Sequence, residues 1–112
     1  MTFPKVSVRE LARVTYPRTD TAATVRVPSQ RTYSVVVACS AADPKTPLNW
    51  ALLDERPSGP LSVNSGTIAC DGQEDAVMVE FPLVGGQIRL ELQDRLDKVT
   101  RAYAVLRSGV NP

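Results

Sequence analysis

Apolar residues alternate with polar ones along most of this chain, and this period of two restricts its fold more than any other feature. Successive side chains of a strand point to opposite faces, whereas one face of a helix returns only every third or fourth residue. "GQIRLELQD" is the clearest example, because Ile88, Leu90 and Leu92 share one face and charged or amide side chains occupy the other. The pattern predicts a strand with one face buried and one in water.

The same alternation recurs in "AATVRVP", "TYSVVVACS", "PLNWALLD" and "DAVMVEFP". "VTRAYAVLR" is apolar on both faces, which predicts a central strand or one that is covered on both sides. "VSVRELARV" is compatible with a short helix or with a strand, because it lacks helix caps and begins with β-branched residues.

Residues that favour turns separate these segments, among them Asp43-Pro44, Asp71-Gly72 and Gly85-Gly86. Seven to eight short strands at this spacing predict an all-β fold, a two-sheet antiparallel β-sandwich of jelly-roll or immunoglobulin-like topology. We expect residues 1–112 to form a single domain, with residues 1–20 as a loosely attached N-terminal arm or an edge strand. The short polar connection at residues 94–98, "DRLDK", predicts a hairpin between the last two strands.

Several classes of function conflict with the composition. The chain has no histidine, which removes Ser-His-Asp and Cys-His catalytic groups and every histidine-bearing metal site. A net charge of +1 provides no general attraction for nucleic acid. No apolar run approaches the roughly 20 residues of a membrane-spanning helix, so direct membrane insertion is not expected. We expect no cofactor.

The two cysteines occupy similar places in the pattern. Cys39 continues the apolar face of Val35 and Val37, and Cys70 shares the parity of Ile68. Two thiolates alone make a poor zinc site, and a catalytic thiolate would need a base that the chain lacks. Two buried free thiols are the remaining alternative to a disulfide, and we favour the disulfide.

A Cys39–Cys70 disulfide would have consequences for stability and location. Closing the loop of about 32 residues from Cys39 to Cys70 removes roughly 3–4 kcal/mol of unfolded-state entropy in the chain-entropy treatment. Such bonds persist in oxidising compartments, which predicts an extracytoplasmic protein, secreted or at the cell surface.

Few residues stand out as ligand contacts. Trp50, the lone tryptophan, is a weak candidate, because its parity with Leu48 and Leu52 indicates packing. Tyr16 has fewer apolar neighbours in the sequence, and we expect it to be the most exposed aromatic residue.

Acidic side chains raise two further possibilities. Asp71, Glu74 and Asp75 form a weak calcium candidate, since their spacing matches no established calcium loop and a polar turn explains them as well. The pairs Asp54-Glu55 and Asp94-Asp97 leave a carboxylate-based hydrolase open, although charged strand ends are the simpler interpretation. We expect no catalytic residues and no metal.

The motifs "YSVVVACSA", "LNWALLD", "SGTIACDG" and "TRAYAVLR" together resemble small cysteine-bridged β-sandwich domains of actinobacterial secreted proteins and lipoproteins. The resemblance covers about residues 31–107 and leaves residues 1–30 outside it. It implies an uncharacterised, non-catalytic extracytoplasmic module, in some proteins beside a lipidated or enzymatic region.

The sequence therefore predicts an interaction or accessory module of a secreted or cell-surface protein, with a carbohydrate-binding module as the alternative. Its partner would be a protein or a cell-wall polysaccharide, and the oligomeric state stays open. A carbohydrate site of the common aromatic type would show two or more exposed aromatic side chains in a row. Aromatic residues make up 5% of the chain, which argues against that type.

Overall fold

The structure is a computed structural model that describes residues 2–17, 22–29, 32–55, 58–59, 61–79, 86–93 and 96–109 of the 112-residue chain. Its strands are β1 (Glu10–Tyr16), β2 (Ala22–Val27), β3 (Tyr33–Ala41), β4 (Pro47–Asp54), β5 (Leu61–Ala69), β6 (Asp75–Val79), β7 (Gly86–Gln93) and β8 (Val99–Ser108). The predicted all-β antiparallel sandwich is confirmed.

The strands form two four-stranded sheets. Sheet A has the order β1-β8-β3-β6, and sheet B has the order β2-β7-β4-β5. All pairings are antiparallel. The pairs β1–β8, β2–β7, β3–β6 and β4–β5 are those of one long hairpin that reverses between β4 and β5. Because successive pairs enter alternate sheets, the hairpin is rolled up, and this order is that of a jelly roll rather than of an immunoglobulin domain.

The core lies between the inner faces of the two sheets. The alternating residues predicted to be buried are buried, and they come from the central strands: Tyr33, Val35, Val37, Leu48, Trp50, Leu52, Ile88, Leu90 and Leu92. Their burial fixes the register of the paired strands, because a shift of one residue would turn each apolar row towards water.

The centre of the outer face of sheet A is also apolar. Val36, Ala38, Tyr103 and Val105 are buried there, and Phe3 of the N-terminal segment packs against them. The Phe3 and Tyr103 rings meet edge to face at a centroid distance of 6.0 Å. β8 lies between β1 and β3, so the prediction that "VTRAYAVLR" forms a central strand is confirmed.

The ambiguous N-terminal segment "VSVRELARV" becomes strand from Glu10 onwards. β1 is an edge strand of sheet A, and Ala12 and Val14 lie in the core. Of the two expectations for residues 1–20, the edge strand therefore describes β1.

The prediction of a hairpin at residues 94–98 is wrong. β7 belongs to sheet B and β8 to sheet A, and a 3-10 turn at Leu96–Lys98 leads from one sheet to the other. A hairpin and a crossover between sheets both need a chain reversal, so turn chemistry does not distinguish them. Leu96 packs against the core, which directs the chain across the end of the sandwich.

Trp50 and Gly66 face each other across β4 and β5 on the core side. The indole of Trp50 is 1% exposed and lies directly against the glycine backbone. A Cβ atom at position 66 would stand 2.8 Å from Trp50 Nε1, which is closer than non-bonded atoms approach. The glycine thus makes room for the largest side chain of the core.

We therefore expect Gly66→Ala to lower the free energy of unfolding by about 1–3 kcal/mol, because a buried indole has little room to move. Chemical denaturation followed by Trp50 fluorescence measures this change. Ser65→Ala, on the exposed face of the same strand, is the control and should stay within about 0.5 kcal/mol of the wild type. Equal stabilities of Gly66→Ala and the wild type would show that the indole is not confined by this glycine.

Candidate functional site

A disulfide joins the two sheets at one end of the sandwich. Cys39 lies near the end of β3 in sheet A, and Cys70 extends the β4–β5 ladder of sheet B by donating its N–H to the Thr46 carbonyl. The two Cα atoms are 4.4 Å apart, and both residues are buried. The predicted disulfide is confirmed.

The backbone around the disulfide changes sheets within two residues. Asp71 pairs with Ser40 of β3, and the Gly72 N–H donates to the Cys39 carbonyl at 2.9 Å. The bridge therefore fixes the corner at which the chain crosses from sheet B to sheet A. A buried structural disulfide indicates an oxidising, extracytoplasmic environment.

The two aromatic ligand candidates lie against the core. Trp50 is fully buried, as its parity predicted. Tyr16, predicted to be the most exposed aromatic residue, is half-buried at the end of β1 and packs against the core, whereas Tyr33, Trp50 and Tyr103 are buried. The parity of Tyr16 with Ala12 and Val14 explains this packing. The buried ring of Trp50 is therefore not available for stacking a ligand.

The acidic loop after Cys70 does not assemble a cation site. Asp71 Oδ1 accepts the Gln73 N–H at 3.0 Å, which closes a local turn. Glu74 accepts a hydrogen bond from the Tyr103 hydroxyl, and Asp75 begins β6. Among the described residues, no group of three or more acidic or cysteine side chains is arranged to hold a metal ion.

The remaining carboxylate candidates that the structure describes lie at or next to the ends of strands. Glu55 forms an ion pair with Arg89 at 3.4 Å. Asp54 ends β4, and Asp94, the proposed partner of Asp97, lies outside the described residues.

A shallow polar groove lies on the outer face of sheet B. Its volume is about 190 Å³, and it is lined by Asn49, Trp50, Ser65, Gly66, Thr67 and Gln93. Gln93, Asn49 and Thr67 form one row across the three strands β7, β4 and β5. Ala51 and Ser65 lie in the next outward-facing row of sheet B. Their small side chains leave the groove open beside the row of Gln93, Asn49 and Thr67.

Hydrogen bonds hold the amides of this row in place. The Thr67 hydroxyl donates to Asn49 Oδ1, and Gln93 Nε2 donates to Glu91 Oε1 at 2.6 Å. Arg89 binds Glu91 at 3.0 Å, so the charge of Glu91 beside the groove is paired. The groove itself is lined by uncharged hydroxyl and amide groups. It can accept and donate hydrogen bonds, but it holds no nucleophile with a base to activate it.

Sequence reasoning did not single out Asn49, Thr67 or Gln93. Each occupies a polar position of an alternating strand, and that signal is shared by every solvent-facing residue. Only the register of β4 with β5 and with β7 aligns them, and a single sequence does not specify that register.

Two buried tyrosines have perturbed acidity. Burial raises the pKa of the Tyr103 phenol well above its usual range, and the hydrogen bond and the negative charge of Glu74 raise it further. Burial also raises the pKa of Tyr33. Both groups are therefore neutral over the whole physiological range.

Comparison of the chain with protein-family models, with curated proteins and with solved structures finds no match. In the described part of the chain, no helix has the length and apolar character needed to cross a membrane.

Replacing both Cys39 and Cys70 by serine should lower the free energy of unfolding by roughly 3–4 kcal/mol, because the unfolded chain regains the entropy of a 31-residue separation. Urea unfolding with and without reductant measures the effect. Reduced wild type should match the double variant, and its intact mass should rise by about that of two hydrogen atoms. An unchanged urea midpoint after complete reduction would contradict the structural role of the bond.

Stability should fall as the pH rises above about 10, the pKa of tyrosine in an unfolded chain. Since the folded-state pKa values of Tyr103 and Tyr33 are raised, the unfolded chain loses these protons first and is favoured at alkaline pH. Urea midpoints between pH 8 and pH 11, read together with phenolate absorbance, measure the loss. Tyr103→Phe should flatten this decline, and a decline of equal steepness in the variant would count against the assignment.

Proposed function

We propose that this chain is a non-catalytic extracytoplasmic β-sandwich module, an interaction or accessory domain of a secreted or cell-surface protein. Its binding surface is the outer face of sheet B, centred on Asn49, Thr67 and Gln93. The resemblance to domains of actinobacterial secreted proteins and lipoproteins belongs to the same proposal.

The observation that carries the proposal is the polar groove on that face. Binding sites are concave and combine a rigid frame with a few convergent polar groups. Here the frame is a pair of sheets joined by a buried disulfide, and the polar groups come from three adjacent strands. Side chains on strands are held more precisely than side chains on loops, because the ladder fixes their spacing.

The chemistry of the groove favours binding over catalysis. The chain has no histidine, and Glu91, which lies beside the groove, is bonded to Arg89 and Gln93. A hydrolytic pair of carboxylates needs one protonated and one ionised group on either side of a substrate. Glu91, ion-paired on one side of a shallow groove, does not support such an arrangement.

Carbohydrate is the second candidate ligand, and the uncharged lining of the groove favours it. Amide and hydroxyl groups match the alternating donors and acceptors of a neutral polyhydroxylated chain. Recognition would rest on hydrogen bonds rather than on aromatic stacking, since Trp50 is buried beneath Gly66.

Binding assays on substitutions of two glutamines of β7 test both candidates. Gln93 lies in the groove, and Gln87, exposed on the same face of the same strand, lies at the opposite end. We expect Gln93→Ala and Asn49→Ala to weaken binding about tenfold each, as loss of one or two hydrogen bonds predicts, and Gln87→Ala to leave it unchanged.

The assays use two sets of probes. Affinity electrophoresis in neutral polysaccharides tests the carbohydrate candidate, and capture of solubilised cell-surface proteins on the immobilised domain tests the protein candidate. Binding in one assay that is lost selectively in the groove variants supports that candidate. Failure of the wild type in both assays, or equal losses for Gln87→Ala, contradicts the proposed surface.

A further inference from the structure

The four edge strands of the sandwich differ in how they are protected. β1 and β6 are the edges of sheet A, and β2 and β5 are the edges of sheet B. An exposed edge can pair with another strand, and natural proteins block this with charges, prolines, bulges or short strands.

Three of the edges carry such protection. β1 bears the Glu10–Arg13 ion pair and a register shift after Glu10. β2 carries Arg26 and lies beside β1 across the sandwich. β6 has only five residues and begins with Asp75.

β5 is different from the other three edges. It is nine residues long, "LSVNSGTIA", and contains neither a charged residue nor a proline. Its first part is irregular, because the pairing with β4 shifts between Asn64 and Ser62. The stretch Asn64–Ala69 is regular, and Ser65, Thr67 and Ala69 are exposed.

The hydrogen-bond phase of the β4–β5 ladder shows which backbone groups face outwards. Cys70 donates its N–H to the Thr46 carbonyl, and the inward-bonded positions alternate from there. Ile68 and Gly66 therefore pair with β4, whereas Ala69, Thr67 and Ser65 direct their N–H and C=O groups to the open edge. Pro47, which has no N–H, stands opposite Ala69, where none is required. Asn64 Oδ1 caps the Ser65 N–H at 2.9 Å.

We infer that the β5 edge is a self-association surface, on which a second copy of this chain pairs antiparallel with Asn64–Ala69 to form a continuous eight-stranded sheet. The inference goes beyond the proposed function and does not depend on it.

The sequence of β5 fits antiparallel pairing with the same strand of a second copy. With the two-fold axis at Thr67, Thr67 exchanges backbone hydrogen bonds with its counterpart, and the Ala69 N–H reaches the Ser65 carbonyl of the other copy. On the core side Ile68 of one copy faces Gly66 of the other, which has no side chain to obstruct it. No like charges meet, because β5 has none. The same self-pairing of β1, β2 or β6 would bring charged strands together.

The pairing also brings the two polar grooves side by side. Ser65 and Thr67 line the groove and stand at the edge, so the grooves of the two copies would adjoin across the axis. A symmetric pair of sites would favour a repetitive ligand by avidity.

Sedimentation equilibrium of the full chain tests the inference. We expect the apparent mass to rise from 12.2 kDa towards twice that value between about 1 µM and about 500 µM, since a strand edge is smaller than a standard interface. Thr67→Lys should stay at the single-chain mass throughout. Thr24→Lys, the same change at an exposed position on the opposite edge of sheet B, is the matched control and should behave as the wild type.

Amide hydrogen exchange of the unmodified protein provides a second readout that needs no variant to fold. The Thr67 and Ala69 amides should exchange about tenfold more slowly at the high concentration, and the β2 amides should not change. A wild type that keeps the single-chain mass over the whole range overturns the inference. So do equal losses of association in both lysine variants, or exchange at Thr67 and Ala69 that is independent of concentration.

Discussion

The covalent bond between Cys39 and Cys70 is the constraint on which the rest of this structure depends. The two sheets otherwise adhere largely through side-chain packing in a small core, which gives a domain of this size limited stability. The bond joins β3 to the extension of β5 at the corner where the chain changes sheets. It therefore closes one end of the sandwich and fixes the position of the edge strand whose outer residues form part of the polar groove.

The centres of the two outer faces of the sandwich differ in character, and this difference supports the proposed binding surface. The centre of the outer face of sheet A is apolar and is covered by Phe3 of the same chain. The outer face of sheet B presents amides and hydroxyls beside the ion pairs of Arg89. A face that is polar, concave and held in register by its own ladder is suited to hydrogen-bonded recognition.

Much of the fold was predictable, because the alternation of apolar and polar residues identifies each strand and the face that it buries. The rows of Val35, Leu90 and Trp50 indicate strands and their inward faces, and the parity of the two cysteines indicates a bond between sheets. The strand order was not predictable, because alternation says which face is buried but not which strand lies alongside. For the same reason residues 94–98 were assigned to a hairpin, although Leu96 leads the chain into the other sheet.

The candidate site was less predictable than the fold. Asn49, Thr67 and Gln93 are ordinary solvent-facing residues until the register aligns them, whereas Trp50 and Tyr16 attract attention by residue type and prove to pack against the core. In this protein, the residues that stand out by their type therefore belong to the packed core of the fold. The residues proposed to bind a ligand are distinguished only by their neighbours in space.

The central claim is that an inter-sheet disulfide holds this jelly roll closed in the environment where it acts. The most direct test is the ¹³Cβ chemical shift of Cys39 and Cys70, measured by NMR on protein recovered from an oxidising compartment without added oxidant. The account predicts that both shifts lie in the range of oxidised cystine, in a spectrum of well-dispersed strand resonances. Shifts in the thiol range, in a protein that remains folded, would contradict it.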